Sequence, residues 1–285
     1  MRTLILMPFL LCLYTGWQPV VVLDAVLYRV VFNKLNAKNA KVFSNASRVR
    51  IIKNLRAAVT RGLHTKLSPF GCNLVLQGQE ARREDFSRDL AKCLIGDKHL
   101  WELVDKTHPL SRDYVPQDLV TLKAGPYRLN VQGIKLRKAA ADSLVEMAAA
   151  ARVDGVTLTV TSAYRSYSYQ QQVYSRIVRE RGQRAADRVS ARPGHSQHQT
   201  GLAVDFAPLD NSFAKSAAGR WMATNAYRFG WSLSYPEGHE ALTGYQWESW
   251  HYRYVGKELA SFIEKHFGGL QQKALVFIGD YEKDR

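Results

Sequence analysis

The stretch SQHQTGLAVDF, residues 196–206, decides how the rest of the chain is read. His198 and Asp205 stand seven positions apart, with Gly201 between them. Glycine permits a sharp turn or a close backbone approach there. Leu202–Ala203–Val204, with Phe206 after the aspartate, has the composition of a short buried strand. A carboxylate in such a strand is costly unless it is hydrogen-bonded, paired with a cation or bound to a metal. A core aspartate accepting backbone hydrogen bonds is the plain alternative to a ligand.

Outward from this stretch, the pattern is one of short strands separated by helices. VTLTV (156–160) reads as a strand ahead of SAYRSYSYQ (162–170). Ser168 and Gln171 are spaced as a capping box, opening a helix that runs to about Arg181 and stops at Gly182. KLRKAAADSLVEMAAAAR (135–152) is rich in helix formers and sets Leu136, Ala140, Leu144, Met147 and Ala151 on one face. SAAGRWMATNAYRF (216–229) predicts a helix closed by Gly230; WSLSY (231–235) and WHYRYV (250–255) predict strands. KELASFIEKHF (257–267) predicts a closing helix before Gly268 and Gly269. This is an α+β pattern: a small antiparallel sheet with flanking helices. Before it, residues 24–97 look mainly helical and basic, and THPLSRDYVPQDLV (107–120), with two prolines and no helical period, reads as an extended lead-in. The expected division is 1–23, 24–97, a domain over 98–269, and a tail over 270–285.

The chain has 285 residues and a formal net charge of +15, which suits an anionic neighbour such as nucleic acid, a membrane surface or a polyanionic wall. The basic residues are spread along the chain, with no Lys/Arg block interleaved with aromatics, which argues against nucleic acid. Residues 4–23, LILMPFLLCLYTGWQPVVVL, follow Arg2 without a charge and read as a signal anchor or signal peptide, with the remainder exported. An oxidising compartment would permit a Cys72–Cys93 bond. There is no clear zinc signal in the cysteines.

Polar groups gather at the ends of the expected strands. Arg165 follows the first, His198 and Asp205 flank the second, and Glu248 and His251 open the aromatic-rich segment QWESWHYRYV (246–255). Two histidines and one carboxylate form a catalytic zinc set that leaves a fourth position for water. A carboxylate beside a ligand, as Glu248 is three residues before His251, is the usual general base. Arg165 could steady an oxyanion or grip a substrate carboxylate. By spacing alone His195 competes with His198, and Asp210 with Asp205.

SAYRS…Q, SQHQTGLAVD and ESWHYRYV, in this order, closely resemble the VanY-type D-alanyl-D-alanine carboxypeptidases, the M15B group of zinc peptidases within the LAS superfamily. HPLSRDYVPQDLV and NAYRFGWSLSYP resemble that family's flanking segments, and the likeness covers about residues 101–268. It implies one zinc ion (Zn2+) bound by His198, Asp205 and His251, with Glu248 as catalytic base. It implies that Arg165 aids substrate carboxylate or transition-state binding, and that Ser196 and Gln170 line the substrate pocket. The implied activity is removal of the terminal D-alanine from peptidoglycan stem peptides by an exported, membrane-tethered bacterial enzyme. An L,D-carboxypeptidase, an endopeptidase with the same site, and a non-catalytic peptidoglycan-binding module are the rival readings. The resemblance does not account for the region before residue 98 or for the tail.

Overall fold

In the computed structural model, residues 84–283 are described, with side chains to Tyr281. The expected anchor, most of the basic region and Cys72 lie outside the described residues. Among those described, no helix is long and apolar enough to cross a membrane. Arg88–Asp280 form one compact unit; Met1–Ser87 and Tyr281–Arg285 are grouped separately.

A five-stranded sheet carries the fold, in the order β2 (Arg128–Leu129), β4 (Thr159–Ser162), β5 (Ala203–Phe206), β7 (His251–Tyr254), β6 (Trp231–Leu233). Its neighbours run antiparallel except for β2 and β4, which are parallel. The sheet is therefore mixed rather than wholly antiparallel, through a two-residue edge strand too short to leave a pattern in the sequence. A separate ribbon pairs β1 (Leu119–Thr121) with β3 (Lys135–Arg137).

Strand periodicity sorts the two faces. Val204 and Phe206 of β5, Val160 of β4 and Tyr252 of β7 point into the main core. Helix α1 (Lys138–Val153) covers that face with Ala140, Leu144, Met147 and Ala151, which with neighbouring Leu136 are fully buried. Asp205 and His251 alternate onto the opposite face, where they stand directly opposite one another across the ladder. One residue of register slip would separate them and turn the core residues outward.

Helix α2 (Tyr167–Arg181) starts two residues earlier than the capping-box pattern predicts: Ser166 is in extended backbone and its hydroxyl accepts from Tyr169 N, while Ser168 lies inside the first turn. Its end at Gly182 is as predicted. α3 spans Gln183–Val189. The segment expected as one helix over 216–229 is α4 (Ala217–Asn225) followed by a 3-10 turn (Ala226–Phe229), closed by Gly230. The short α5 (Glu240–Thr243) precedes the site loop, and α6 (Lys257–Phe267) matches its predicted range. The tail forms a further helix, α7 (Gln271–Lys283), whose Ala274, Leu275 and Ile278 are buried.

Candidate metal centre

His198 sits in a 3-10 turn (Gln197–Thr200) that leads into β5. Ser196 caps it, its Oγ accepting from His198 N at 3.3 Å. Gly201 ends the turn at φ +69°, and a Cβ there would stand 2.9 Å from Leu119 Cδ2 and 3.0 Å from Arg137 Cγ. Both the left-handed backbone and the close packing thus demand glycine. The turn delivers His198 beside Asp205, and the register delivers His251 to the other side.

His198 Nε2 lies 3.1 Å from Asp205 Oδ2, and His251 Nδ1 lies 2.9 Å from Asp205 Oδ1. All three side chains are buried, and their ligand atoms lie within 4.8 Å of one another. The remaining ring nitrogens are taken. His198 Nδ1 meets the Ala163 carbonyl oxygen at 2.6 Å, and His251 Nε2 meets Gln197 Oε1 at 3.1 Å. A carbonyl only accepts, so His198 carries its proton on Nδ1 and turns the Nε2 lone pair toward Asp205. His198 Nε2 makes no hydrogen bond despite its burial. An orphaned buried donor atom facing a carboxylate and a second imidazole fits a cation, with the outer nitrogens held as metal-binding histidines usually are.

Burial, with the nearby Arg165 guanidinium, pushes the His198 imidazole down to about 4, so it is neutral at neutral pH, as a ligand must be. Glu248 lies in the loop before β7, with Oε2 3.8 Å from His251 Nδ1 and its side chain 16% exposed. Burial, reinforced by the Asp205 carboxylate and opposed by Arg165, raises its carboxyl to about 8.

Arg165 reaches in from the end of β4, with Nη2 3.5 Å from Asp205 Oδ2. Its Nη1 donates to Gln170 Oε1 at 2.9 Å, and Gln170 Nε2 donates to the Ala191 carbonyl oxygen at 2.7 Å. Gln170 is almost wholly buried, so its connection to the site runs through Arg165. The competing residues fall elsewhere. His195 Nδ1 bonds the Asp105 carbonyl oxygen at 2.7 Å, and Asp210 caps a separate 3-10 turn by accepting from Ser212 N. Sequence reading passes over Gln197, Ser234 and Gln271, which join behind His251. Tyr235 is also passed over; its ring packs 4.9 Å from that of His251. Only its place at the end of the expected strand WSLSY (231–235) hinted at it.

A small mixed sheet therefore brings together three side chains that could hold a metal ion, with a carboxylate and a guanidinium beside them. The VanY family model, described as D-alanyl-D-alanine carboxypeptidase, matches residues 133–257. The putative carboxypeptidase YodJ of Bacillus subtilis (strain 168) is 38% identical over 174 residues, 59% of this chain and 64% of that protein. The solved LdcB LD-carboxypeptidase is 35% identical with a TM-score of 0.57, covering 61% of this chain and 84% of that one. The vancomycin-resistance D,D-pentapeptidase VanY, solved as a mutant with Zn(II), is 32% identical with a TM-score of 0.53, covering 62% of this chain and 99% of that one. The chain belongs to the VanY family. It spans just under two thirds, 64%, of the length of the Bacillus relative.

Proposed function

We infer that this chain is a zinc-dependent carboxypeptidase that removes the terminal D-alanine from peptidoglycan stem peptides. The observation that carries this reading is the convergence of His198 Nε2, Asp205 and His251 Nδ1 on one buried point, with Glu248 3.8 Å from His251 Nδ1. The relatives' names and the Zn(II) in the related solved structure support the choice of metal and reaction. His198, Asp205 and His251 would hold the ion. Zinc, when bound, supplies Lewis acidity that lowers the pKa of water and polarises the scissile carbonyl.

The protein groups supply the rest. Glu248 takes the proton of the attacking water and passes it to the leaving amine of D-alanine. Arg165 faces the same point and offers its guanidinium to the developing oxyanion or the terminal carboxylate of the substrate. Gln170 keeps that guanidinium in place. Ser196, whose Oγ accepts from His198 N, retains an O–H to donate toward substrate.

Peptidoglycan lies outside the cytoplasmic membrane, so the same reading makes residues 98–269 an exported catalytic domain. It makes 1–23 the anchor or signal, 24–97 the intervening basic region and 270–285 the tail. The positive charge would hold the protein near an anionic wall.

The test is mass spectrometry of a muropeptide pentapeptide ending in D-Ala-D-Ala, incubated with the full chain plus zinc or plus chelator. Loss of one alanine only with zinc is the expected result. Zinc binding without cleavage of any peptide would leave a binding module. The likeness to LdcB favours a second reading, an L,D-carboxypeptidase. A tetrapeptide substrate separates the two.

A further inference from the structure

Behind His251 runs a chain of hydrogen bonds whose direction is set at its far end. Gln271, the first residue of α7, donates from Nε2 to the Ser232 carbonyl oxygen at 3.1 Å. That oxygen can only accept, so the amide of Gln271 cannot turn over without setting oxygen against oxygen. Its Oε1 therefore faces Gln197, which donates Nε2 at 3.3 Å. Gln197 in turn must present Oε1 to His251 Nε2, 3.1 Å away. Ser234 Oγ donates to the same Oε1 at 2.7 Å. Gln197, Gln271, Ser234 and His251 are all buried, so water cannot step in for a missing partner.

We propose that Gln197 and Gln271 are positioning residues that relay the polarity of the Ser232 carbonyl to His251, holding an acceptor at its Nε2 against the pull of Asp205 Oδ1, 2.9 Å from Nδ1, and so favouring the tautomer whose Nδ1 can bind the metal. The tail helix α7, beyond the 133–257 span of the family match, is on this reading part of the centre. The two histidines then share one logic. His198 has its tautomer set by the Ala163 carbonyl directly, and His251 has its own set by the Ser232 carbonyl through two glutamines. The consequence for metal binding rests on the function proposed above; the relay itself does not.

The test is a long-range 15N–1H spectrum of the histidine rings in metal-free full-length protein, with zinc affinity measured separately by chelator competition. Asp205 Oδ1, 2.9 Å from Nδ1, competes for the ring proton, so the wild type is expected to carry a larger Nε2–H share than the variants that break the relay. Gln197→Met removes the acceptor; it should shift the proton toward Nδ1 and weaken zinc by about 10–100-fold, the usual cost of losing an outer partner of a metal-binding histidine. Gln271→Ala should shift the tautomer in the same sense as Gln197→Met and weaken zinc by a smaller factor, and it serves if Gln197→Met does not fold. Gln272→Ala breaks a different contact of the same helix, its 2.6 Å bond to Asp105, and should leave the tautomer unchanged. An Nε2–H share no larger in the wild type than in Gln197→Met and Gln271→Ala, with zinc affinity unaltered in both, would overturn the relay. Absence of zinc binding by the wild type would instead sink the metal reading, leaving the spectra to judge the relay.

Discussion

Replacing Glu248 with glutamine should make the metal-free protein more stable at neutral pH, and by an amount that grows with pH. The Glu248 carboxyl is raised from the ordinary 4.5 to about 8, first by burial and then by the Asp205 carboxylate. A raised carboxyl keeps its proton in the folded state while the unfolded chain gives it up. Its favourable share of stability is thus complete below pH 4.5 and is lost as pH rises through about 8. At about 1.4 kcal/mol per pH unit, the wild type forfeits roughly 3 kcal/mol by pH 7. Glutamine has nearly the same shape and no proton to lose. Urea unfolding of both proteins, in chelator so that no bound metal offsets the charge, gives the comparison. The two stability curves should nearly meet around pH 4.5, diverge up to about pH 8 and run parallel above it. Parallel curves throughout pH 5–8 would show that the carboxylate is solvated, and would refute the burial that raises it. The substitution should also abolish turnover without abolishing zinc binding, since Glu248 is not one of the three converging ligands.

Other outcomes follow from the same geometry. Asp205→Asn should weaken zinc, measured by equilibrium dialysis, by more than the roughly 100-fold upper range of an outer partner, because both histidines lose the charge between them. Gln170→Leu should free Arg165 and lower kcat/KM by about 100-fold, the scale of a small misplacement of a positioned group, while zinc affinity stays unchanged. Gly219→Ala would put a Cβ 1.9 Å from the Phe213 carbonyl oxygen in the turn before α4, so its midpoint of thermal unfolding should fall by several degrees, in line with overpacking costs of about 1–3 kcal/mol or more.

What the sequence carried, and what it hid, divides along a physical line. The α6 boundaries were legible because amphipathic spacing and Gly268 act locally. The centre was legible because its residues sit at strand ends in a recurring order. Spacing alone could not choose between His195 and His198, or between Asp205 and Asp210. The choice depends on where the Asp105 carbonyl falls and on which aspartate caps a turn. Apolar alternation at 156–160 registers burial, yet ladder pairing starts only at Thr159, because Val156 is bonded back to the end of α1.

The glutamines are the hardest case. Gln197 stands next to a ligand and Gln271 opens a tail helix, and nothing in either local pattern links them across 74 positions. A buried amide is informative only once its partners are known, because the same side chain donates from one end and accepts at the other. That ambiguity makes glutamine hard to read in sequence and useful in a relay. It transmits direction from a fixed carbonyl, whereas a hydroxyl such as Ser234 can turn its proton either way. A ligand set can thus be read from residue types and order, but the protonation state that makes it a ligand set is decided by groups that only the folded chain brings together.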